Sequence, residues 1–175
     1  MNKEQLDVSL DIIEQNEGFV PYIYKDTKGI DTIGFGRNLR IYPLTDKELR
    51  EHCYKNAKDE LCLDKTYAVD CLKEEIEEIN SKLSYYNWYD ATKGLLYRRS
   101  ALIDIVYNIG LDKFLRYKNT IQYLQERNYD KASEELLKGT GKDGKSKYYE
   151  QVGLRALRNS MMIRDNKYYS KEELK

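Results

Sequence analysis

The chain has 175 residues and a mass of 20.8 kDa, which is enough for one domain with a sizeable hydrophobic core. Its 30 Lys and Arg residues balance its 30 Asp and Glu residues, which argues against a nucleic-acid-binding protein with a global positive field. The first residues are too charged for a signal peptide, and no apolar run approaches the ~20 residues of a membrane helix. We therefore expect a protein that is made in a cytoplasm and does not insert into a membrane.

Cysteine and histidine usage gives no sign of a metal centre or a nucleophilic triad. Cys53, Cys62 and Cys71 are nine residues apart, which fits neither a paired disulfide framework nor the short ligand gaps of a zinc site. We expect reduced, mostly buried thiols. His52 is the single histidine, and a surface position on a helix is its expected role.

The first predicted helix covers residues 3–16. Leu6, Leu10 and Ile13 recur at helical spacing, and the next position on the same stripe is Glu17. Gly18 then ends the helix. A carboxyl group at the edge of an apolar face is partly desolvated, which suits a general acid. The alternative is an ordinary helix-terminal glutamate that points into water.

A β-hairpin is predicted next. Residues 22–25 and 30–35 alternate as strands do. Asp26 and Gly29 occupy the first and last positions of a type I turn between them, so Asp26 either bonds its own turn or takes part in chemistry. Two carboxylates on neighbouring elements are what acid/base hydrolysis needs. The candidate active site is therefore the segment 17–36.

The rest of the chain is predicted to be mainly helical. Thr45 and Glu48 form a capping box at the start of a helix that extends to about Asn56. Asp64 caps a helix of about 20 residues. Its apolar stripe recurs with a period of 3.6 residues and consists of Ala68, Leu72, Ile76, Ile79 and Leu83.

Four further helices are predicted in the second half of the chain. The first covers residues 94–109 and ends at Gly110. The second begins at Asn119 or Thr120, and the third begins at Asp130 and ends at Gly139. The fourth covers residues 148–162, with Leu154, Leu157 and Met161 inward. Gly141 and Gly144, together with the preceding Gly139, predict a flexible loop over residues 140–147.

The order of these signals closely resembles the T-even phage lysozyme family (glycoside hydrolase family 24 endolysins). The residues that match its first motif are Glu17, Gly18, Ile23, Tyr24, Lys25, Asp26, Thr27, Gly29, Thr32, Ile33, Gly34 and Gly36. A second matching region is formed by residues 99–110, 119–120 and 148–151 with Arg155 and Arg158. The resemblance covers roughly residues 3–165.

The resemblance implies an α+β, mainly α fold in a single lysozyme domain over residues 1–175. A small antiparallel β-sheet lobe is expected over about 14–62, and a larger helical lobe over about 84–165. A long interlobe helix over about 64–83 joins them, and the N-terminal helix 3–16 packs on the helical lobe.

The resemblance also implies an N-acetylmuramidase, which cleaves the β-1,4 bond between N-acetylmuramic acid and N-acetylglucosamine. Glu17 then takes the role of general acid, Asp26 that of the catalytic carboxylate, and Thr32 that of orienting the attacking water. The family is generally inverting, so we expect a carboxyl separation of roughly 6.5–9.5 Å. The remaining cleft positions of the family correspond to Gly36, Asn38, Tyr107, Asn108, Asn119 and Thr120. This chemistry needs no metal and no cofactor.

The expected partner is bacterial peptidoglycan, without nucleic acid and without membrane insertion. By resemblance the protein is a monomeric phage endolysin, which waits in the host bacterial cytoplasm until a holin permeabilises the membrane. The sequence departs from the family at Arg37, where a histidine is common, at Asp31 beside Thr32, and at 140–147, which looks like an insertion. The neutral charge and Arg37 leave an alternative, a catalytically dead glycan-binding or virion structural module with the same fold.

Overall fold

The computed structural model describes residues 1–170 and 172–174. The chain divides into two compact units, one formed by residues 13–75 and the other by residues 1–12 and 76–175. Helices α1 (Lys3–Glu17) and α3 (Lys65–Leu83) each contribute residues to both units. The interlobe role expected for α3 stays a prediction.

The unit of residues 13–75 contains a five-stranded antiparallel sheet and the short helix α2 (Asp46–Glu51). Its strands are β1 (Val20–Lys25), β2 (Asp31–Gly34), β3 (Arg37–Asn38), β4 (Cys53–Lys55) and β5 (Leu61–Leu63), in the order β3-β2-β1-β5-β4. Tyr24 pairs with Thr32 across β1 and β2, and Thr32 pairs with Asn38 across β2 and β3. Paired residues project to the same face of a sheet, so these three side chains form one row.

The capping box at the start of α2 is confirmed, but the predicted extent of this helix is wrong. The Thr45 hydroxyl accepts from the Glu48 N–H, and the Glu48 carboxylate accepts from the Thr45 N–H. The helix ends at Glu51 instead of Asn56, because the next residues form the β4–β5 hairpin. In its turn the Asn56 side chain accepts the N–H groups of Lys58 and Glu60, a local bond that competes with helix formation.

Helix α3 forms as its apolar pattern predicts. Asp64 caps it by accepting the Tyr67 N–H at 2.9 Å. Every member of the predicted stripe is buried: Ala68, Leu72, Ile76, Ile79 and Leu83. The stripe therefore supplies core to both units, since Ile76 is the first α3 residue of the second one.

The second unit is mainly helical and is built on α5 (Leu96–Ile109), whose Leu102, Ile103 and Ile105 are completely buried. Gly110 ends this helix, as predicted, with a φ of 83° that favours glycine. The other elements are α4 (Asn87–Asp90), α6 (Leu111–Phe114), α7 (Lys118–Gln125), α8 (Tyr129–Leu137), a 3₁₀ turn (Lys142–Gly144), α9 (Lys147–Val152) and α10 (Leu154–Asp165).

The single helix predicted over 148–162 is wrong, because Gly153 separates α9 from α10. Its φ of 47° interrupts the helix and changes the phase of the apolar stripe. Leu154, expected inward, is therefore 50% exposed, whereas Met162 and Ile163 are buried.

A buried ion pair connects α5 with α10. Asp104 is completely buried and accepts from Arg155 Nε at 3.1 Å and Arg155 Nη2 at 2.8 Å. Asn159 Nδ2 donates to the same carboxylate at 2.6 Å and to the Tyr148 hydroxyl at 2.8 Å. The packing of α5 and α10 therefore includes a polar network whose carboxylate has several donors.

The fold class is α+β and mainly α, as predicted. The three cysteines are free, as expected, but only Cys62 is buried, whereas Cys53 and Cys71 are half-buried. Among the described residues, none of the helices is both long and apolar enough to cross a membrane.

Candidate active site

Glu17 is the last residue of α1 and is half-buried. It continues the stripe of the completely buried Ile13, so its carboxyl group leaves the helix beside apolar packing. Gly36 approaches this carboxyl closely: a Cβ atom at Gly36 would lie 3.5 Å from Glu17 Oε2. Gly36 also has a φ of 85°, so glycine supplies both the backbone conformation and the open space beside the acid.

Asp26 stands at the start of the turn between β1 and β2. Its Oδ1 accepts the N–H groups of Lys28 and Ile30, each at 2.8 Å. These hydrogen bonds, above all the one from Ile30, lower the pKa of Asp26 below its ordinary value. Asp26 Oδ2 makes no hydrogen bond within the described part of the chain. The turn role considered from the sequence is therefore confirmed, and it uses only one of the two carboxylate oxygens.

Thr32 lies on β2 and is only 3% exposed. Its hydroxyl donates to the Ile30 carbonyl at 3.0 Å, which orients the oxygen and uses its one proton. The lone pairs of Oγ1 stay available to accept a hydrogen bond.

Tyr24 is the residue of this site that sequence reasoning missed. Its pKa is raised first by burial and then by the negative charges of Glu17 and Asp26. Both carboxylates therefore lie within electrostatic range of one phenol, although Glu17 ends a helix and Asp26 begins a turn. The signal that could have identified Tyr24 is its position opposite Thr32 in the predicted hairpin.

Arg37, the departure beside Gly36, is occupied by other groups. Its guanidinium forms a two-point ion pair with Glu48 and donates to the carbonyls of Tyr42 at 2.9 Å and Pro43 at 2.8 Å. None of its hydrogen bonds goes to Glu17. The Arg37 guanidinium is also the main cause that lowers the pKa of Glu48 to about 2.

Asp31 pairs with Lys25 across the β1–β2 ladder at 2.8 Å, and its side chain is 52% exposed. Its neighbour Thr32 is buried, so the two residues face opposite sides of the strand, as alternation predicts. The second departure is therefore a surface ion pair.

Asn38, a predicted cleft residue, stabilises its own turn. Its Oδ1 accepts the N–H groups of Arg40 at 2.9 Å and Ile41 at 3.3 Å. It shares the row of Thr32 and Tyr24, so its amide stands on the same face of the sheet.

The predicted cleft residues of the helical unit fall into two groups. Asn119 and Thr120 line a cavity of about 600 Å³, whereas Tyr107 and Asn108 are half-buried at the end of α5 and do not line it. The helix expected to begin at Asn119 or Thr120 begins at Lys118, so Asn119 is the second residue of α7, and it donates to Glu135 Oε2 at 3.0 Å.

These features define a chain with a carboxylate at a helix end, a second in a hairpin turn, and a threonine opposite a tyrosine. A family model described as phage lysozyme matches residues 14–160, and the chain belongs to this family. It is also 23% identical over 142 residues to a protein named probable T4-type lysozyme 1 of Dictyostelium discoideum, a match that covers 74% of this chain and 82% of the relative.

Membership in this family implies glycoside hydrolase activity of the lysozyme-like, muramidase type, with peptidoglycan as substrate. It does not by itself assign a role to any residue.

Proposed function

We propose that this protein is a phage endolysin that hydrolyses the β-1,4 bond between N-acetylmuramic acid and N-acetylglucosamine. Glu17 is the general acid, and Asp26 with Thr32 holds the attacking water. The observation that carries the assignment is that the carboxylates of Glu17 and Asp26 both lie within electrostatic range of the Tyr24 phenol. Two carboxylates near one group, on different elements, provide the acid and the water-activating carboxylate that glycoside hydrolysis requires.

In the proposed reaction, Glu17 donates its proton to the glycosidic oxygen as the bond from that oxygen to the anomeric carbon breaks. A water molecule forms the new bond to the anomeric carbon from the opposite face. That water donates one hydrogen bond to Asp26 Oδ2, which becomes the acceptor of its proton, and one to Thr32 Oγ1. The lowered pKa of Asp26 supports this role, because an ionised carboxylate is the better acceptor.

Direct attack by water inverts the anomeric configuration. A β-linked substrate then yields an α-configured reducing end as the first product. Proton NMR of a soluble peptidoglycan oligosaccharide during early turnover measures this directly. An initial β-anomer would show that the inverting mechanism is wrong, without affecting the assignment as a hydrolase.

The decisive test of the catalytic pair compares Glu17→Gln and Asp26→Asn with chemically matched controls. We expect each to lower the release of reducing ends from purified peptidoglycan by at least about a hundredfold. Glu51→Gln and Asp31→Asn make the same changes at exposed positions and should retain wild-type activity. Equal activity of Glu17→Gln and wild type would refute the role of Glu17.

The remaining cleft roles and the biological setting belong to the same proposal. Gly36, Asn38, Tyr107, Asn108, Asn119 and Thr120 contact the glycan. The proposal also includes a two-lobed arrangement joined by α3 and a monomeric state. It further includes storage in the host cytoplasm until a holin permeabilises the membrane. Light scattering tests the monomer. Expression in a bacterial host with and without a holin tests the release, since lysis should require both proteins.

The alternative considered from the sequence is a catalytically dead glycan-binding or virion module. Family membership does not favour it, and Arg37, the departure that helped to motivate it, is paired with Glu48. Binding of the wild-type protein to peptidoglycan without any muropeptide products would decide for this alternative.

A further inference from the structure

The cavity of about 600 Å³ in the helical unit has a strongly one-sided charge. It lies among the start of α7, the end of α8, residues 138–147 and α9. Its lining includes one acidic side chain, Glu135, and five basic ones: Lys113, Arg116, Lys118, Lys138 and Lys147. In a chain with equal numbers of acidic and basic residues, this cavity is a local concentration of positive charge.

The single carboxylate in the cavity already has partners within the protein. Glu135 accepts from Asn119 at 3.0 Å and pairs with Lys138 at 3.3 Å. The hydrogen bond from Asn119, followed by that from Lys138, lowers the pKa of Glu135. The other four cations form no ion pair with any described residue. Their charge is therefore available to a ligand.

Thr120 provides an independent sign of a missing partner. Its side chain lines the cavity, is 1% exposed, and its Oγ1 has no hydrogen-bond partner among the described residues. Buried hydroxyl groups are ordinarily hydrogen-bonded, because desolvation without a partner is costly.

One wall of the cavity is a preformed strap, which we define as residues 138–147. Lys138 and Lys145 form an antiparallel bridge, and Ser146 N donates to the Leu137 carbonyl at 2.7 Å. Glu150 Oε1 accepts the Lys142 N–H at 2.6 Å and lies so close to Gly141 that any side chain there would collide with it. The segment predicted as a flexible loop therefore has defined anchors, and it contributes Ser146 and Lys147 to the cavity.

We propose that this cavity is an oxyanion-binding site that takes a carboxylate or phosphate group of an anionic cell-wall polymer. Ammonium and guanidinium groups form charge-assisted hydrogen bonds to such oxygens. The choice of a wall polymer as the source of the anion rests on the proposed function, whereas the anion site itself does not. The site gives a neutral protein a local attraction to an anionic wall, which its net charge cannot provide.

The first experiment tests the site without any glycan. Inorganic phosphate, and separately acetate, is titrated into the ¹⁵N-labelled full-length protein while amide resonances are followed. We expect saturable shifts confined to residues 113–120 and 138–148. The variant Lys113→Gln/Lys118→Gln should weaken this binding by about tenfold or more, since each loss removes a charged donor.

The matched control is Lys93→Gln/Lys131→Gln, which removes the same charge at two exposed positions outside the cavity. It should bind both anions as the wild type does. Equal weakening in the two variants, or no localised shifts with either anion, would overturn the site. This outcome is independent of hydrolysis, so it does not depend on the proposed function.

The second experiment identifies the source of the anion by cosedimentation of the Glu17→Gln protein with insoluble wall. Blocking wall carboxylates as amides should release the protein if stem peptides are bound. Removing phosphate polymers with hydrofluoric acid should release it if those are bound. Unchanged binding after both treatments, or a nucleic acid that binds in place of the wall, would overturn the assignment to a wall polymer.

Discussion

The Arg37 guanidinium and the Glu48 carboxylate form a two-point ion pair that also fixes the start of α2. Glu48 accepts in addition from the Thr45 N–H and from the Tyr67 hydroxyl, at 2.8 and 3.1 Å. One carboxylate thus connects β3, α2 and α3 within residues 13–75. Because Glu48 is only 6% exposed, each of these bonds is shielded from water.

This ion pair predicts a specific dependence of stability on pH. Arg37 lowers the pKa of Glu48 from 4.5 to about 2 in the folded protein. The carboxylate therefore stabilises the fold above pH 4.5, and this contribution is lost as the pH falls towards 2. A shift of this size corresponds to roughly 3 kcal/mol.

Urea unfolding of the wild type and Glu48→Gln at several pH values measures the effect. The free energies of unfolding should differ by roughly 3 kcal/mol at pH 7 and converge as the pH approaches 2. Glu51→Gln changes an exposed, weakly paired glutamate and should show little difference at any pH. A constant gap between Glu48→Gln and wild type would contradict the prediction.

Tyr24 should report the charges of the two candidate catalytic carboxylates. Burial and the charges of Glu17 and Asp26 raise its pKa above 10.0. Titration of ¹³Cζ-labelled tyrosine, with the Tyr24 resonance assigned through Tyr24→Phe, should show this raised value. Glu17→Gln and Asp26→Asn should each lower it, whereas Glu51→Gln should not. A Tyr24 pKa unaffected by both changes would remove the main support for the site.

Gly36→Ala tests whether the open space beside Glu17 is needed for activity, and Gly94→Ala is the control for backbone strain. Gly36 and Gly94 have φ values of 85° and 79°, so alanine at either position should cost about 1–2 kcal/mol of stability. At Gly36 the new methyl contacts a carboxylate, 3.5 Å from Glu17 Oε2, whereas at Gly94 no described residue other than its chain neighbours comes within 4 Å of it. We therefore expect similar losses in thermal denaturation, but a loss of activity on the order of tenfold for Gly36→Ala alone. Equal activities would show that this space is unimportant.

Asp104→Asn tests the buried network that joins α5 to α10. The Asp104 and Arg155 side chains are 0% and 10% exposed, so removing the negative charge leaves a buried guanidinium without its counter-ion. We expect a loss of about 3 kcal/mol in the free energy of unfolding. Asp70→Asn breaks the exposed pair with Lys73 and should cost less than about 1 kcal/mol. A loss as small as that of the control would show that Asp104 is well solvated.

Local patterns predicted the elements near the candidate site with good accuracy. The helix that ends at Glu17, the turn that begins at Asp26, and the stripe of α3 each depend on residues a few positions apart, and all three formed as predicted. The predictions were wrong where a local sequence pattern is compatible with two different backbone structures. Residues after Glu51 formed a hairpin instead of continuing a helix, and Gly153 interrupted the last helix.

The sequence by itself determined the family, the fold class and the identity of the two candidate carboxylates, because these depend on residue types at short, fixed spacings. Only the tertiary structure decided the partners of those residues. It paired Arg37 with Glu48, eleven positions away, and placed Tyr24 within electrostatic range of both acids. It also gathered basic side chains from α6, α7, α9 and their connections around one cavity. Such contacts depend on how helices and strands pack against one another, and this packing cannot be read from the spacing of residues along the chain.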